Sequence, residues 1–303
     1  MMRCFEDTLE VAGGRTPARL AAPFQESDLD LICRAAAAGF ITPLFIGDGK
    51  AIEKHIERST LSPPGYEILD ETDRDRVLQR AISLVREKRA DILMQGSMDQ
   101  NALLNAVLDV KTGLLKGRTA SYVSLLELPD RGRFILVTDT FLNNHPDIAE
   151  KQRILENAIS FSAILGIDTP KVAVLAAIEQ VNPGIPSTLD AAILSKMSER
   201  GQFGKTLVEG PLDIDCSLSN AAARRKGIES PVTGDVDIYL VPEIDTGHLL
   251  VELLVCIGGI RTAGMVLGAT CPVILDVPFV PDECRLVEIA LASLAAPRGE
   301  SHG

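Results

Sequence analysis

Strand-like and helix-like stretches alternate along almost the whole chain, and that alternation restricts the fold more than any single motif does. ARLAAPF (18–24), ITPLFIG (41–47), DILMQG (91–96), KVAVLAAI (171–178), KTLVEG (205–210) and VDIYLVP (236–242) are apolar runs of strand length. Between them lie helical patterns: SDLDLICRAAAAGF, KAIEKHIER, TDRDRVLQRAISLVREKRA, NALLNAVLDVKTGL, KQRILENAISFSAILG, residues 187–200, residues 217–226 and TGHLLVELLVCIGG. Ser27 reads as an N-cap and Gly39 as a C-terminal stop. SYVSLLEL and RFILVTDT read as neighbouring strands, and AGMVLGA and PVILD as two more before a closing helix, RLVEIALASLAAP. Such alternation predicts parallel sheets flanked by helices, an α/β fold. A second block begins near Ala120, without a Ser/Pro-rich linker, internal repeat or low-complexity segment. The expectation is two α/β domains, residues 1–120 plus 270–303 forming the first and 121–269 the second.

A chain of 303 residues that is 46% hydrophobic and has no Trp must build its core mostly from Leu, Ile, Val and Ala, which suits helices on parallel strands. The net charge of −12 argues against duplex nucleic acid, whose binding rests on clustered Lys and Arg. It leaves room for a small anionic ligand in a locally basic site. Cys4, Cys33, Cys216, Cys256, Cys271 and Cys284 form no C-x-x-C pair, so neither a disulfide framework nor a zinc site is expected. MMRCFEDTLEVAGG has no apolar leader core. No apolar run approaches the length of about 18 residues that a membrane span needs. A reducing cytoplasm is the expected setting.

Familiar motifs fail. GQFGKT (201–206) has Glu199 where a phosphate-cradling loop needs Gly, so it reads as a helix-to-strand turn. GDGK (47–50) lacks a following Ser or Thr, and no G-x-G-x-x-G follows a strand. His55, His145, His248 and His302 show no metal-ligand spacing. His55 reads as solvated on a charged helix, His145 follows a strand end, His248 opens a helix and His302 sits in the tail. Asp235 and Asp237 share one face of a strand; they suit either a metal or the turn before that strand.

The stretch GATCPVILDVPFVPDECR (268–285) is where chemistry would be sought, because ligands of open α/β sheets bind beyond the carboxyl ends of strands. In AGMVLGATCPVIL, and in PKVAVLAAIEQVNPGIPSTLDAAIL, VEGPLDID, RRKGIESPVTGDVDIYLVPEIDTGHLL and FILVTDTFLNNHPDIAEKQRILENA, the chain resembles the phosphate acetyl/butyryltransferase family, most closely its butyryltransferase branch. GFITPLFIGD and DILMQG extend the likeness more loosely into the first hundred residues. The resemblance implies two α/β domains of a build similar to isocitrate dehydrogenase, with a cleft between them. It also implies a homo-oligomer that moves a short acyl group between coenzyme A and inorganic phosphate, with coenzyme A as substrate and no metal or nucleotide cofactor.

The same resemblance exposes a departure. The family pattern after the last strand is Thr-Ser-Arg-x-Asp-Ser. Laid on without a gap, its Ser, Arg and Asp fall on Val277, Pro278 and Val280. A family Lys falls on Gln95 and a family Arg on Leu104. Three cationic positions therefore carry no charge, each worth about 1.5–3 kcal/mol in a charge-assisted hydrogen bond. An oxyanion donor lost with them costs about 10²–10³ in rate. The substitutes on offer are Lys111, Lys116 and Arg118 as substrate-binding cations, with Arg118 matching a family Gly-Arg step. Asp276 or Glu283, beside Asp282, offers a carboxylate base. Asn182 and Gly210 match the family and are expected to line the cleft, although turn geometry alone also accounts for them. Three functions stay open: an acyltransferase with altered site residues, a repurposed or catalytically impaired relative binding another ligand or partner, and a metal-dependent dehydrogenase of similar build.

Overall fold

A computed structural model describes residues 1–59, 61–117 and 119–297. The first half of the chain runs α1 (Phe5–Gly13), β1 (Ala18–Pro23), α2 (Leu29–Ala37), β2 (Ile41–Gly47), α3 (Gly49–Arg58), β3 (Glu67–Asp70), α4 (Arg74–Arg86), β4 (Ile92–Met94), α5 (Gln100–Leu108), β5 (Ser121–Leu128), β6 (Arg133–Thr138) and α6 (Ile148–Ile164). It continues β7 (Lys171–Leu175), α7 (Pro186–Glu199), β8 (Leu207–Leu212), α8 (Ile214–Leu218), α9 (Asn220–Arg225), β9 (Ile238–Leu240), α10 (Ile244–Cys256), β10 (Thr262–Leu267), β11 (Val273–Ile274) and α11 (Arg285–Ala295). The residues fall into two compact units. A terminal unit contains Phe5–Gly117 and residues 263–297, and a central unit contains Met1–Cys4 and residues 119–262.

In the terminal unit the strand order is β3-β2-β1-β4-β11-β10. All pairs are parallel except β10 with β11. Leu20, Ala21, Ala22, Phe45, Ile46, Ile92 and Leu93 are wholly buried, the continuous apolar run expected of strands covered on both faces. In the central unit the order is β5-β6-β9-β7-β8, parallel apart from the β5–β6 hairpin. A link of only four residues joins β5 to β6, a single 3-10 turn (Pro129–Arg131) closed by Gly132 at φ +57. So short a link permits only an antiparallel pair.

Several elements depart from the sequence reading. α1 was not expected; its buried Phe5, Thr8 and Ala12 follow helical spacing across an acidic segment. β3 is an edge strand of four residues with polar ends, too short for a clear period-two signal. Ser27 does not cap α2: a 3-10 turn (Glu26–Asp28) comes first and Asp28 precedes the helix, with no side-chain cap. The helix expected over 217–226 breaks at Ser219, whose extended backbone ends α8 and whose hydroxyl caps α9 through the Ala222 N–H. β7 stops at Leu175, three residues early. α10 begins at Ile244, which puts His248 in its second turn rather than at its start. GQFGKT is a turn, with Gly201 and Gly204 at positive φ. All six cysteines are free, and among the described residues no helix is long and apolar enough to cross a membrane.

Candidate functional site

Three parallel strands of the terminal unit, β1, β4 and β11, end side by side. Leu20 is in register with Ile92, and Ile274 with Met94. Gly96 follows β4 at φ +52, and a Cβ there would lie 1.9 Å from the Pro23 carbonyl oxygen. Only glycine allows the two chain ends to pass so closely. One residue earlier, Gln95 is pinned from several sides. Its N–H donates to Ile274 O at 2.9 Å and its Nε2 to Met98 O at 3.2 Å. Its Oε1 accepts the Asp276 N–H at 2.9 Å.

Asp276 leaves β11 with a half-exposed side chain, yet that side chain has a partner. Arg285 Nη1, from the first residue of α11, lies 3.6 Å from Asp276 Oδ1 and donates to Asp28 Oδ1 at 3.2 Å. Asp28 is 2% exposed. Burial pushes its carboxyl up, Arg285 pulls it back, and Asp276 pushes it up again. One turn along α11, the wholly buried Glu288 accepts the Gly264 N–H at 3.0 Å. Burial pushes Glu288 up to about 8, opposed by the Gly264 N–H and by Arg285. Arg285, Asp28 and Glu288 carried no signal in the linear sequence. Asp28 and Arg285 are 257 positions apart.

The loop after Asp276 explains how the family pattern can be missing without disorder. Val277 and Phe279 are buried at 3% and 6% exposure, and the Val280 N–H closes a turn on Val277 O at 3.0 Å. Two apolar anchors occupy the segment where the family places polar groups. Pro278 faces outward, as do Asp282 and Glu283 in the 3-10 turn that leads into α11.

The structure does not bring Lys111 or Lys116 to this edge. Lys111 is exposed, its N–H bonded to Asp109 Oδ1. Lys116 is exposed, its N–H bonded to Gly268 O, and Leu115 bridges Ala269. That loop thus lies on the turn entering β11, whereas Asp276 leaves it. Arg118 lies outside the described residues, as does His302. A pocket of about 510 Å³ opens on the carboxyl edge, lined in part by Phe24, Asp48, Glu71, Arg74 and Asp99. α3, α4 and α5 all begin beside it, but Asp48, Asp73 and Asp99 cap them. At each of these starts one or two of the N–H groups that would otherwise attract an anion are already bonded to a carboxylate.

In the central unit, Asn182 is engaged by its own turn. Its N–H donates to Thr188 Oγ1 at 2.9 Å, and its Oδ1 accepts the Gly184 N–H at 2.8 Å. Gly210 is a packing glycine: a Cβ would meet Val174 Cβ at 2.9 Å and Ala191 Cβ at 3.0 Å. Beyond the carboxyl ends of β7 and β8, Lys226 Nζ donates to Glu179, to Asp215 at 2.8 Å and to Asp213 at 3.5 Å. Asp215 and then Glu179 hold the ammonium well above its usual range. Buried Cys216 donates to Glu179 Oε1 at 3.4 Å, and burial, followed by Asp215 and Glu179, pushes its thiol up to about 12. Glu179, Asp215 and Cys216 could together ligate an ion, but Lys226 Nζ already bonds both carboxylates.

Asp235 and Asp237 are ion-pair partners, which corrects the metal reading. Arg133 bonds both, Lys171 Nζ bonds Asp235 at 2.6 Å, and the Lys171 N–H donates to Asp237 Oδ2 at 2.8 Å. They join the amino ends of β6, β7 and β9. His145 is exposed and 3.0 Å from Glu243. His55 is less solvated than expected, 26% exposed beside Phe24 and Glu26.

Comparison with known proteins accords with this architecture. The family model described as phosphate acetyl/butaryl transferase matches residues 65–276, ending where the divergent loop begins. The chain is 32% identical over 298 residues to a phosphate butyryltransferase of Clostridium acetobutylicum, covering 98% of this chain and 99% of that one. It is 36% identical over 279 residues to a phosphate acetyltransferase of Rhizobium meliloti, covering 92% and 88%. The crystal structure of a branched-chain phosphotransacylase from Enterococcus faecalis superposes with a TM-score of 0.79 at 27% identity, over 92% of this chain and all of that one.

Proposed function

The chain belongs to the phosphate acetyl/butaryl transferase family, and on that premise we propose that it is an enzyme transferring a short acyl group between coenzyme A and inorganic phosphate. The observation that carries this reading is likeness to phosphate acyltransferases along nearly the full chain. In the forward direction a phosphate oxygen attacks the thioester carbonyl, the C–S bond breaks, and coenzyme A leaves as a thiolate that takes up a proton. In reverse, a base removes the thiol proton, sulfur attacks the acyl phosphate carbonyl, and phosphate departs. Asp276 is the proposed base, at a strand end of the kind where open α/β sheets bind ligands. Glu283 is a second exposed carboxylate a few residues on. Lys111, Lys116, Arg118, Asn182 and Gly210 complete the proposal as substrate contacts. Coenzyme A is the only cofactor-like molecule it involves, as a substrate. A homo-oligomer in a cytoplasmic setting belongs to the same proposal, and light scattering of the purified protein tests the oligomer.

The deciding experiment measures thiol release from acetyl-, propionyl- and butyryl-CoA with and without phosphate. Phosphate-dependent release establishes the reaction without the Ser-Arg-x-Asp loop. No release from folded protein sinks it and turns attention to a repurposed relative.

A further inference from the structure

We infer that Gln95 and Arg285 are positioning residues that clamp Asp276 at the end of β11 and so keep a reactive carboxylate in place where the family loop has been replaced. The inference rests on the acyltransferase reading and adds to it the residues that act through Asp276.

The geometry is that of a two-point hold. A half-exposed aspartate on a loop ordinarily samples several rotamers, and fixing it costs side-chain entropy. Here the main chain of Asp276 is held by Gln95 Oε1 at 2.9 Å, and its carboxylate faces Arg285 Nη1 at 3.6 Å. Each holder is itself held. Gln95 is tied to Ile274 and Met98 through its N–H and Nε2. Arg285 is tied to Asp28, which is too buried to seek another partner in water. Arg285 Nη1 makes both the hydrogen bond to Asp28 and the ion-pair contact with Asp276. The two positions also come from separate elements, the end of β4 and the start of α11. Gln95 stands where the family carries a lysine. A neutral amide there accepts the Asp276 N–H, which an ammonium cannot do. One substitution therefore removes a cation and supplies an acceptor for the residue that leaves the neighbouring strand.

A positioning residue changes turnover through the group it positions, so its effect must vanish once that group is gone. The test is phosphate-dependent CoA release from butyryl-CoA by wild type, Asp276→Asn, Arg285→Lys, Gln95→Met and the doubles carrying Asp276→Asn. Asp276→Asn should lower kcat about 100-fold. Arg285→Lys and Gln95→Met should each lower kcat about tenfold with KM for phosphate unchanged. Each double should fall no further than Asp276→Asn alone, within about twofold. Losses that multiply overturn the clamp alone; Asp276→Asn working at the wild-type rate overturns the clamp and the assignment of Asp276 as base, while the acyltransferase activity itself stands. A wild type without phosphate-dependent release overturns both. Gln95→Met touches no buried charge and carries the test by itself if Arg285→Lys does not fold.

Discussion

Both units place a single cation among carboxylates beyond the carboxyl ends of parallel strands, and the two clusters differ in what surrounds them. Lys226 of the central unit sits between Glu179, Asp213 and Asp215, all but Glu179 more than a third exposed. Arg285 of the terminal unit is 18% exposed, and its principal partner, Asp28, has a side chain only 3% exposed. Water can replace Lys226 as a partner for its acids. It cannot do so for Asp28. One cation among acids therefore yields an adjustable surface cluster in one unit and a fixed buried one in the other.

Removing the cation from the buried cluster should have the largest effect. Arg285→Ala leaves Asp28 without compensation and should destabilise the protein by about 3–5 kcal/mol in urea unfolding, because a broken buried pair strands a charge. Asp28→Asn added to it should recover much of the loss. If Arg285→Ala unfolds within about 1 kcal/mol of wild type, Asp28 is better solvated than its burial indicates and the contrast between the units collapses.

Glu288 sharpens the contrast through pH. Its carboxyl is raised from 4.5 to about 8 in the folded chain, so the folded state keeps a proton that the unfolded state gives up. Stability from this group is therefore full below about pH 4.5 and is lost as pH rises towards about 8. Glu288→Gln keeps an acceptor for Gly264 and cannot ionise. Relative to wild type, its urea midpoint should match at pH 5 and lie higher at pH 8. Equal differences at both pH values would mean that Glu288 is already ionised in the fold.

These charges also show where sequence reading stops. β2, α3, α7 and β8 were legible because each carries its signal locally, in an apolar run or a helical period. The divergent loop was legible as a set of missing residues, since Val277, Pro278 and Val280 replace Ser, Arg and Asp of the family pattern. Asp276 was legible as a candidate base, but the side chains that surround it were not. Asp28, Gln95, Asp276 and Arg285 meet only because β1, β4 and β11 end together, a tertiary fact with no local trace. The basic run Lys111 to Lys116 was legible as local charge, but its place beside the turn entering β11 was not, because local charge density says nothing about which end of a strand it will occupy. α1 and β3 were missed because one is masked by acids and the other is a four-residue edge.

Restoring part of the family loop tests whether the terminal cluster replaces it. Val277→Ser with Pro278→Arg should raise phosphate-dependent release by about tenfold. Because Val277 is 3% exposed, the serine should also cost about 1–3 kcal/mol of stability. A stability loss without a rate gain would mean that the carboxyl edge has been rebuilt around Asp276 too thoroughly for the old groups to function.

The smallest effect belongs to the exposed cluster. Lys226→Met removes three ion pairs at once, a change that by counting bonds ought to exceed Arg285→Ala, which removes two. Exposure reverses that order. Solvated pairs contribute little each and less in salt, and the freed acids rehydrate. The melting temperature should move by less than about 2 °C in low salt and by less still at high salt. Cys216 gives the independent readout: with Lys226 gone, burial and its acidic neighbours still disfavour the thiolate, so alkylation of Cys216 should stay far slower than that of exposed Cys256. A large fall in melting temperature, or rapid Cys216 labelling, would show that Lys226 is a structural pin like Arg285 and that burial is not what separates the two units.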